Sequence, residues 1–248
     1  FPPNPITKDY IILARLRPKI SQEIPGESLI INAKMSIHTG GEDGVYNSTS
    51  CCAYNPTPDR IKQDSVWQEK STTLNDLSPE EKEMKKRDWY NLQAKRIAIP
   101  DSYDFKIETV GVFENIDIVR KACDIVNSRI ENLKNTVEDP DKLSKILKNQ
   151  AESTIPNSFD IILKNEGYTL GKVIEYVLHE QYYENKNILS YVGFKKPHPH
   201  TSNSLLRIAF KKSVPTETVK NYIAKIISEA CSFATNIFST IKDEFAVD

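Results

Sequence analysis

The spacing of hydrophobic residues divides the chain into a strand-rich beginning and a remainder dominated by long helices. Two β-branched runs, at 9–17 and 27–38, flank a Pro-Gly turn and predict a hairpin. A stretch rich in glycine and proline follows and predicts a loop with a short strand at 50–54. Alternating apolar and polar residues predict another strand over 105–112. We therefore expect the first part to be β-rich.

Three later segments carry helical patterns. Residues 77–96 open with a Ser-Pro-Glu-Glu capping sequence and are densely charged, which predicts a surface helix anchored by Trp89 and Tyr90. The second helix has an apolar seam at Ile116, Val119, Cys123, Val126, Ile130, Leu133 and Val137. The third, over 216–245, has a stripe at Val219, Ile223, Ile226, Ala230, Phe233, Ile237 and Ile241. Burying one large apolar side chain contributes about 1.5–3 kcal/mol, so both seams need a partner.

The element order predicts an α+β fold. After residue 155 the order is β-α-β-β-α, which places helices on one face of a sheet. Since each half of the chain ends in a strand and a striped helix, we expect two pseudo-symmetric half-domains that pair within one chain. The predicted domains are a β-rich insert at 1–103, a strand, helix and linker at 104–150, and a second half-domain at 151–248. Two ordinary core helices of unrelated domains are the alternative.

Composition limits the classes of function. The 248 residues have a formal net charge of -1, so no overall cationic field would hold a nucleic acid. The four cysteines form neither a disulfide framework nor a metal-binding pair, which indicates a reducing compartment. No window has the roughly 20 apolar residues of a membrane span. The first residue is not methionine, so we expect a processed or truncated start.

Candidate chemical groups are few. His198 and His200 would point to one side of a strand and could bind zinc or copper, but prolines interleave them and no acidic or thiol ligand is near. A thiol nucleophile at Cys51 or Cys52 with His38 as base would lack a third orienting group. No phosphate-binding glycine loop or carboxylate cluster is present. We predict no catalytic residue and no metal or cofactor in this chain.

Two short motifs carry a resemblance to a known family. Tyr-Thr-Leu-Gly-Lys at 168–172 opens a helix, and Gly-Phe-Lys-Lys-Pro-His-Pro at 193–199 follows the next strand. This combination resembles the eleventh-largest subunit of eukaryotic RNA polymerase II and the archaeal L subunit. The resemblance covers roughly 155–248, including the last strand and the long helix.

The preceding part resembles the partner of that subunit. Residues 54–70 and 105–133 are similar to the third-largest polymerase subunit, archaeal D and bacterial α, the second stretch being its strand and dimerisation helix. Residues 44–49 depart from the family's His-Ala-Lys-aromatic-Ser-Pro motif, which puts its contact with the second-largest subunit in doubt. The family's first strand, first dimerisation helix and zinc loop have no counterpart, so we expect a missing start or a second chain. The fused arrangement resembles that of large cytoplasmic DNA viruses.

The resemblance implies a non-catalytic assembly platform of a DNA-directed RNA polymerase. Its partners would be the two largest subunits and small subunits, with DNA contacted only indirectly, no membrane, and magnesium and zinc held by other subunits. The compartment would be the host cytoplasm or virion for a viral chain, and otherwise the nucleus. The implied dimerisation surface comprises Tyr168, Thr169, Leu170, Gly171, Val173, Ile174, Val177, Gly193, Phe194, His198, Pro199, Ile116, Val119, Cys123, Val126, Ile130, Val219, Ile223, Ile226, Phe233 and Ile237.

Two residues of the first motif have specific expected roles. Thr169 is expected to cap the helix through its hydroxyl, and Gly171 to let a partner helix approach closely. A tolerated glycine without a partner is the alternative. For function, the alternatives are a stand-alone adaptor that reuses the fold outside transcription and, more remotely, an enzyme using Cys52.

Overall fold

A computed structural model of the chain describes residues 2–4, 7–149 and 154–246. The chain divides into two compact units, Phe1–Asn115 and Ile116–Asp248. Helix and strand both occur, which confirms the α+β class. The three predicted domain ranges stay a prediction.

The predicted hairpin at the start of the first unit is wrong. Residues 7–38 contain no helix or strand, although Glu27 N–H donates to Arg17 O at 3.0 Å around the Pro-Gly turn. Their apolar side chains are exposed, up to 99% for Ile37. Two strands alone are at best marginally stable and need a third strand or a covering layer. Since these residues have neither, their β-branched composition does not produce a ladder.

One antiparallel ribbon forms the sheet of the first unit. Strand β1 (Thr49–Pro58) pairs with β2 (Ala98–Thr109), and Tyr54 lies opposite Phe105. Both predicted strands are confirmed, and both are longer than expected. The two α-helices that lie between these strands in the chain contribute more residues than the strands, so the expected excess of strand is not found among the described residues.

Two helices connect these strands. Helix α1 (Arg60–Thr72) is capped by Asp59, whose side chain accepts from Lys62 N–H. Helix α2 (Pro79–Asn91) begins with the predicted capping box, in which Ser78 and Glu81 each bond the other's backbone N–H. Trp89 is buried and stacks on Trp67 with ring centroids 6.4 Å apart. The prediction of an exposed, charged helix with an aromatic anchor is confirmed.

The second unit contains one four-stranded sheet and four α-helices among its described residues. The elements in chain order are α3 (Asn115–Glu138), α4 (Pro140–Ile146), β3 (Leu147–Asn149), β4 (Ser158–Leu163), α5 (Tyr168–Leu178), a π-helical segment (His179–Asn185), β5 (Leu189–Lys195), β6 (Ser204–Phe210) and α6 (Thr216–Glu244). The sheet is antiparallel with strand order β3-β4-β6-β5. The predicted β-α-β-β-α order is confirmed, with β3 as an unpredicted edge strand.

The two faces of this sheet differ in chemistry. Pairing places Ile161 opposite Leu206 on one face, where both are buried with residues of α5 and α6 in the hydrophobic core. The other face carries Asp160 opposite Arg207, joined by two hydrogen bonds of 2.6 and 2.8 Å. The Asp160 side chain is only 3% exposed, and its hydrogen bond raises the pKa of Arg207. Buried charges persist where they are paired in this way.

Helix α3 lies antiparallel to α6. Lys242 Nζ contacts Asp124 Oδ1 at 2.6 Å, Asn127 donates to Ser239 at 3.4 Å, and Ser228 donates to Glu138 at 2.6 Å. Positions that increase along one helix thus decrease along the other. Residues Ile130, Leu133 and Val137 of the predicted seam join the core of this unit.

The π-helical segment is attached to α6 through one carboxylate. Tyr182 donates to Glu229, and Lys186 Nζ lies 3.2 Å from the same Glu229 oxygen and 4.2 Å from the Tyr182 ring centroid. Burial, followed by the bond to Glu229, raises the pKa of Tyr182. The Tyr182 hydroxyl, with Lys186, lowers the pKa of Glu229.

The lowered pKa of Glu229 predicts a pH-dependent contribution to stability. A carboxylate whose pKa falls on folding stabilises the fold above its ordinary pKa and loses that effect as pH falls through the folded value. We expect Glu229→Gln to lower the urea midpoint, followed by far-ultraviolet circular dichroism, at about pH 7. The difference in urea midpoint between this variant and the unchanged chain should shrink as the pH falls below 4.5, the ordinary pKa of glutamate. Glu244→Gln, an exposed position on the same helix, is the control, and a deficit that does not change with pH would contradict the assignment.

Candidate functional site

The two motifs that carry the family resemblance meet in one contact. The Phe194 ring, on β5, lies against the first turn of α5 at Gly171. A Cβ atom built on Gly171 would lie 2.0 Å from Phe194 Cε2, which is too close for any real contact. The Phe194 ring also meets Tyr168 edge-on, with centroids 5.3 Å apart. We call Tyr168, Gly171, Glu175 and Phe194 the signature contact.

Glu175 completes this contact. Its Oε1 accepts from the backbone N–H of Phe194 at 3.1 Å, and its Oε2 pairs with Lys172 Nζ at 2.5 Å. Strand β5 is at the edge of the sheet, where an unpaired N–H is a site for an additional strand. The Glu175 carboxylate therefore fixes α5 to β5 and blocks the edge at Phe194. No sequence pattern indicates this role of Glu175, because the role depends on a strand that follows later in the chain.

Two expected roles in the first motif are wrong. The residue before α5 is Gly167, in an extended conformation, and no side chain caps the helix. Thr169 cannot act as the cap because the helix has already begun at Tyr168. The space beside Gly171 is filled by the Phe194 side chain rather than by a partner helix. Close approach was the right reason for the glycine, but the neighbour is a ring from the same chain.

The structure places the remaining candidate interface residues in three environments. Buried in the second unit are Leu170, Gly171, Ile174, Val177, Cys123, Ile130, Val219, Ile223 and Ile226. Half-buried are Val173, Gly193, Phe194, Val119 and Val126. Exposed are Tyr168, Thr169, His198, Pro199, Ile116, Phe233 and Ile237. The buried residues stabilise the unit itself, so only the half-buried and exposed residues offer surface to another chain.

An apolar surface remains open at one end of the α3–α6 pair. Phe233, Ile237 and Ile241 on α6, and Phe245 directly after it, follow one another every fourth residue and are 36% to 42% exposed. Ile116 is exposed at the start of α3, which the antiparallel pairing brings to the same end. We call these five residues the distal patch. Exposed apolar side chains grouped at one end of a helix pair are typical of interaction sites.

The proposed metal and thiol groups are engaged in local contacts. His198 and His200 stack with centroids 5.1 Å apart, and His198 Nδ1 accepts from the His200 N–H at 3.1 Å. The His38 ring nitrogens contact Glu42 at 2.5 Å and Ser36 at 2.8 Å, so neither reaches a thiol. Within the described ranges, no three or more His, Cys, Asp or Glu side chains are grouped as metal ligands would be.

Comparisons with known proteins give no identification. Neither a model of a known protein family nor any curated protein matches the chain. Among the described residues, no helix has the length and apolar character needed to cross a membrane.

The signature contact predicts a specific coupling between Gly171 and Phe194. Gly171→Ala should destabilise the chain by about 1–3 kcal/mol, since the new methyl group displaces the ring. In a Phe194→Ala background the same substitution should cost much less, because the ring is gone. Urea unfolding of the four chains measures the coupling. Lys172→Ala, at an exposed neighbouring position, is the control and should change stability by less than about 1 kcal/mol. Additive effects at Gly171 and Phe194 would contradict the contact.

Proposed function

We propose that this chain is a non-catalytic assembly subunit of a multi-subunit DNA-directed RNA polymerase. In this proposal it combines the counterparts of the third-largest and eleventh-largest subunits, as two half-domains with an insert. Its role is to dock the two large catalytic subunits during transcription.

The signature contact is the observation that carries the proposal. Tyr168 and Gly171 belong to one motif and Phe194 to the other, 23 positions after Gly171 in the chain. The Phe194 ring nevertheless packs on the Gly171 backbone and against the Tyr168 ring. Motifs that define a single structural module are expected to meet in this way, whereas two chance matches are not.

The α3–α6 pair supports the two-half arrangement. Residues resembling the dimerisation helix of the third-largest subunit lie on α3, and they run along the last helix of the eleventh-largest type. In separate polypeptides these helices must first meet in solution. Joining the two halves in one chain makes this encounter intramolecular, which raises their effective concentration and favours pairing without any new contact.

The distal patch supports a docking role. Its five apolar side chains are arranged on preformed helices, so binding would cost little ordering of the backbone. Specific protein interfaces bury about 1,600 Å² in total, and the patch would supply the apolar centre of such an interface. We propose polymerase subunits as its occupants, with DNA contacted only indirectly, no membrane contact, and magnesium and zinc held by other subunits. In this proposal the protein acts in the host cytoplasm or the virion if it is viral, and otherwise in the nucleus.

Purification of the tagged chain from its native cells tests the proposal. Mass spectrometry should recover the two largest polymerase subunits in stoichiometric amounts. The double variant Phe233→Asp, Ile237→Asp should reduce their recovery about tenfold or more, since two residues at an interface centre commonly contribute over 1 kcal/mol each. Asn236→Asp adds a charge at an exposed position of the same helix and should leave recovery unchanged.

Other outcomes would decide against this function. Recovery of two unrelated proteins in stoichiometric amounts would support the stand-alone adaptor instead. Recovery of the chain alone would contradict both. Circular dichroism of each purified variant shows whether a loss of partners follows from a loss of folding.

A further inference from the structure

We propose that a groove in the second unit binds a short acidic segment of another protein, through an apolar anchor flanked by carboxylates. The groove has a volume of about 350 Å³ and lies between α3, α4 and the end of β4. Its walls come from residues 129–136, 142–146 and 162–166, with Leu170 of α5 at the bottom. This surface is separate from the distal patch, and its proposed ligand does not depend on membership of a polymerase.

The floor of the groove is aliphatic. Leu133, Ile146, Leu163 and Leu170 line it and are 1% to 8% exposed, while Ile162 is half-buried. Ligand sites of this size are typically apolar, with a few polar groups that orient the ligand. One large aliphatic or aromatic side chain would cover the floor and displace water from it.

The rim of the groove is basic. Arg129, Lys142, Lys145 and Lys164 line it, against a single carboxylate, Glu166. Glu166 is already engaged, because Arg129 contacts its two oxygens at 3.2 and 2.8 Å. In a chain of net charge -1 this is a local excess of positive charge.

Two of the four basic side chains are available for a ligand. Lys142 Nζ lies 3.2 Å from Asp139 Oδ2. Across residues 2–4, 7–149 and 154–246, no carboxylate oxygen lies within 4 Å of Lys145 or Lys164. Carboxylates on either side of an apolar anchor would meet these two ammonium groups.

The lining favours a protein segment over a nucleic acid. Single-stranded nucleic acids are held by a basic track together with aromatic rings on which the bases stack. The residues that line this groove include no aromatic side chain. A free inorganic anion would use the lysines and leave the aliphatic floor uncovered. An acidic segment with one apolar anchor uses both features.

Fluorescence anisotropy with the full chain tests this proposal. The probe is a labelled peptide of about ten residues with one central leucine among aspartates and glutamates. We expect saturable binding that weakens as salt is added. Replacing the leucine by serine should weaken binding about tenfold, since the floor would lose its anchor. An oligonucleotide of equal charge should compete poorly.

Variants of the chain locate the binding. Lys145→Glu with Lys164→Glu should weaken binding about tenfold or more by replacing attraction with repulsion. Thr136→Phe, which fills the groove without changing charge, should weaken it similarly. Lys86→Glu with Lys212→Glu makes the same change of net charge at exposed positions elsewhere and should change affinity less than about twofold.

Several results would overturn the proposal. One is the absence of binding up to about millimolar peptide, and another is equal affinity for the leucine and serine peptides. A third is an equal loss of peptide affinity in the groove double variant and in the control double variant. Equally strong competition by the oligonucleotide would assign the groove to nucleic acid instead. Circular dichroism of the variants separates a lost site from a lost fold.

Discussion

The second unit depends on its hydrophobic core, to which α3 is attached by its antiparallel pairing with α6. The polar contacts along this helix pair, such as Asp124 with Lys242, lie at or near the surface and each contribute at most about 1 kcal/mol. The larger contribution comes from Ile130, Leu133 and Val137, which α3 adds to a core that also contains residues of α4, α5, α6, three strands and the π-helical segment. Burial of such residues is worth about 1.5–3 kcal/mol each. Pairing therefore joins residues 116–138 to the sheet and helices that follow them in the chain.

Periodicity predicted the elements whose neighbours lie on one continuous face. The seam of α3 and the stripe of α6 were confirmed as helices, and their buried positions follow the predicted spacing. The same reasoning failed at 9–17 and 27–38, where strand-like composition meets no pairing partner. It also overestimated how much of each stripe lies at an interface. On α6 the stripe residues from Val219 to Ala230 are buried in the core, whereas Phe233, Ile237 and Ile241 are exposed. The reason is that the sheet and α5 extend along only part of α6.

Contacts between distant residues could not be read from the sequence. Glycine at position 171 indicated a close approach, but only the fold identifies Phe194 as the neighbour. Glu175 looks like an ordinary surface residue of a helix until β5 brings an unpaired N–H to it. The basic groove was missed for the same reason, since Arg129 lies on α3, Lys145 on α4 and Lys164 in the turn after β4. The resemblance could point to the motifs and not to the geometry that joins them.

The relative direction of α3 and α6 decides whether the two halves pair as proposed. Thiol cross-linking measures it in a chain with Cys51→Ser and Cys52→Ser, leaving only the buried Cys123 and Cys231. Burial raises the pKa of the Cys231 thiol to about 12, which keeps it unreactive. A short bismaleimide should join cysteines introduced at Asn127 and Ser239 within one chain, but not at Asn127 and Ser228, about 16 Å away along α6. Cross-linking of the second pair, or of neither, would contradict the antiparallel arrangement and the two-half account built on it.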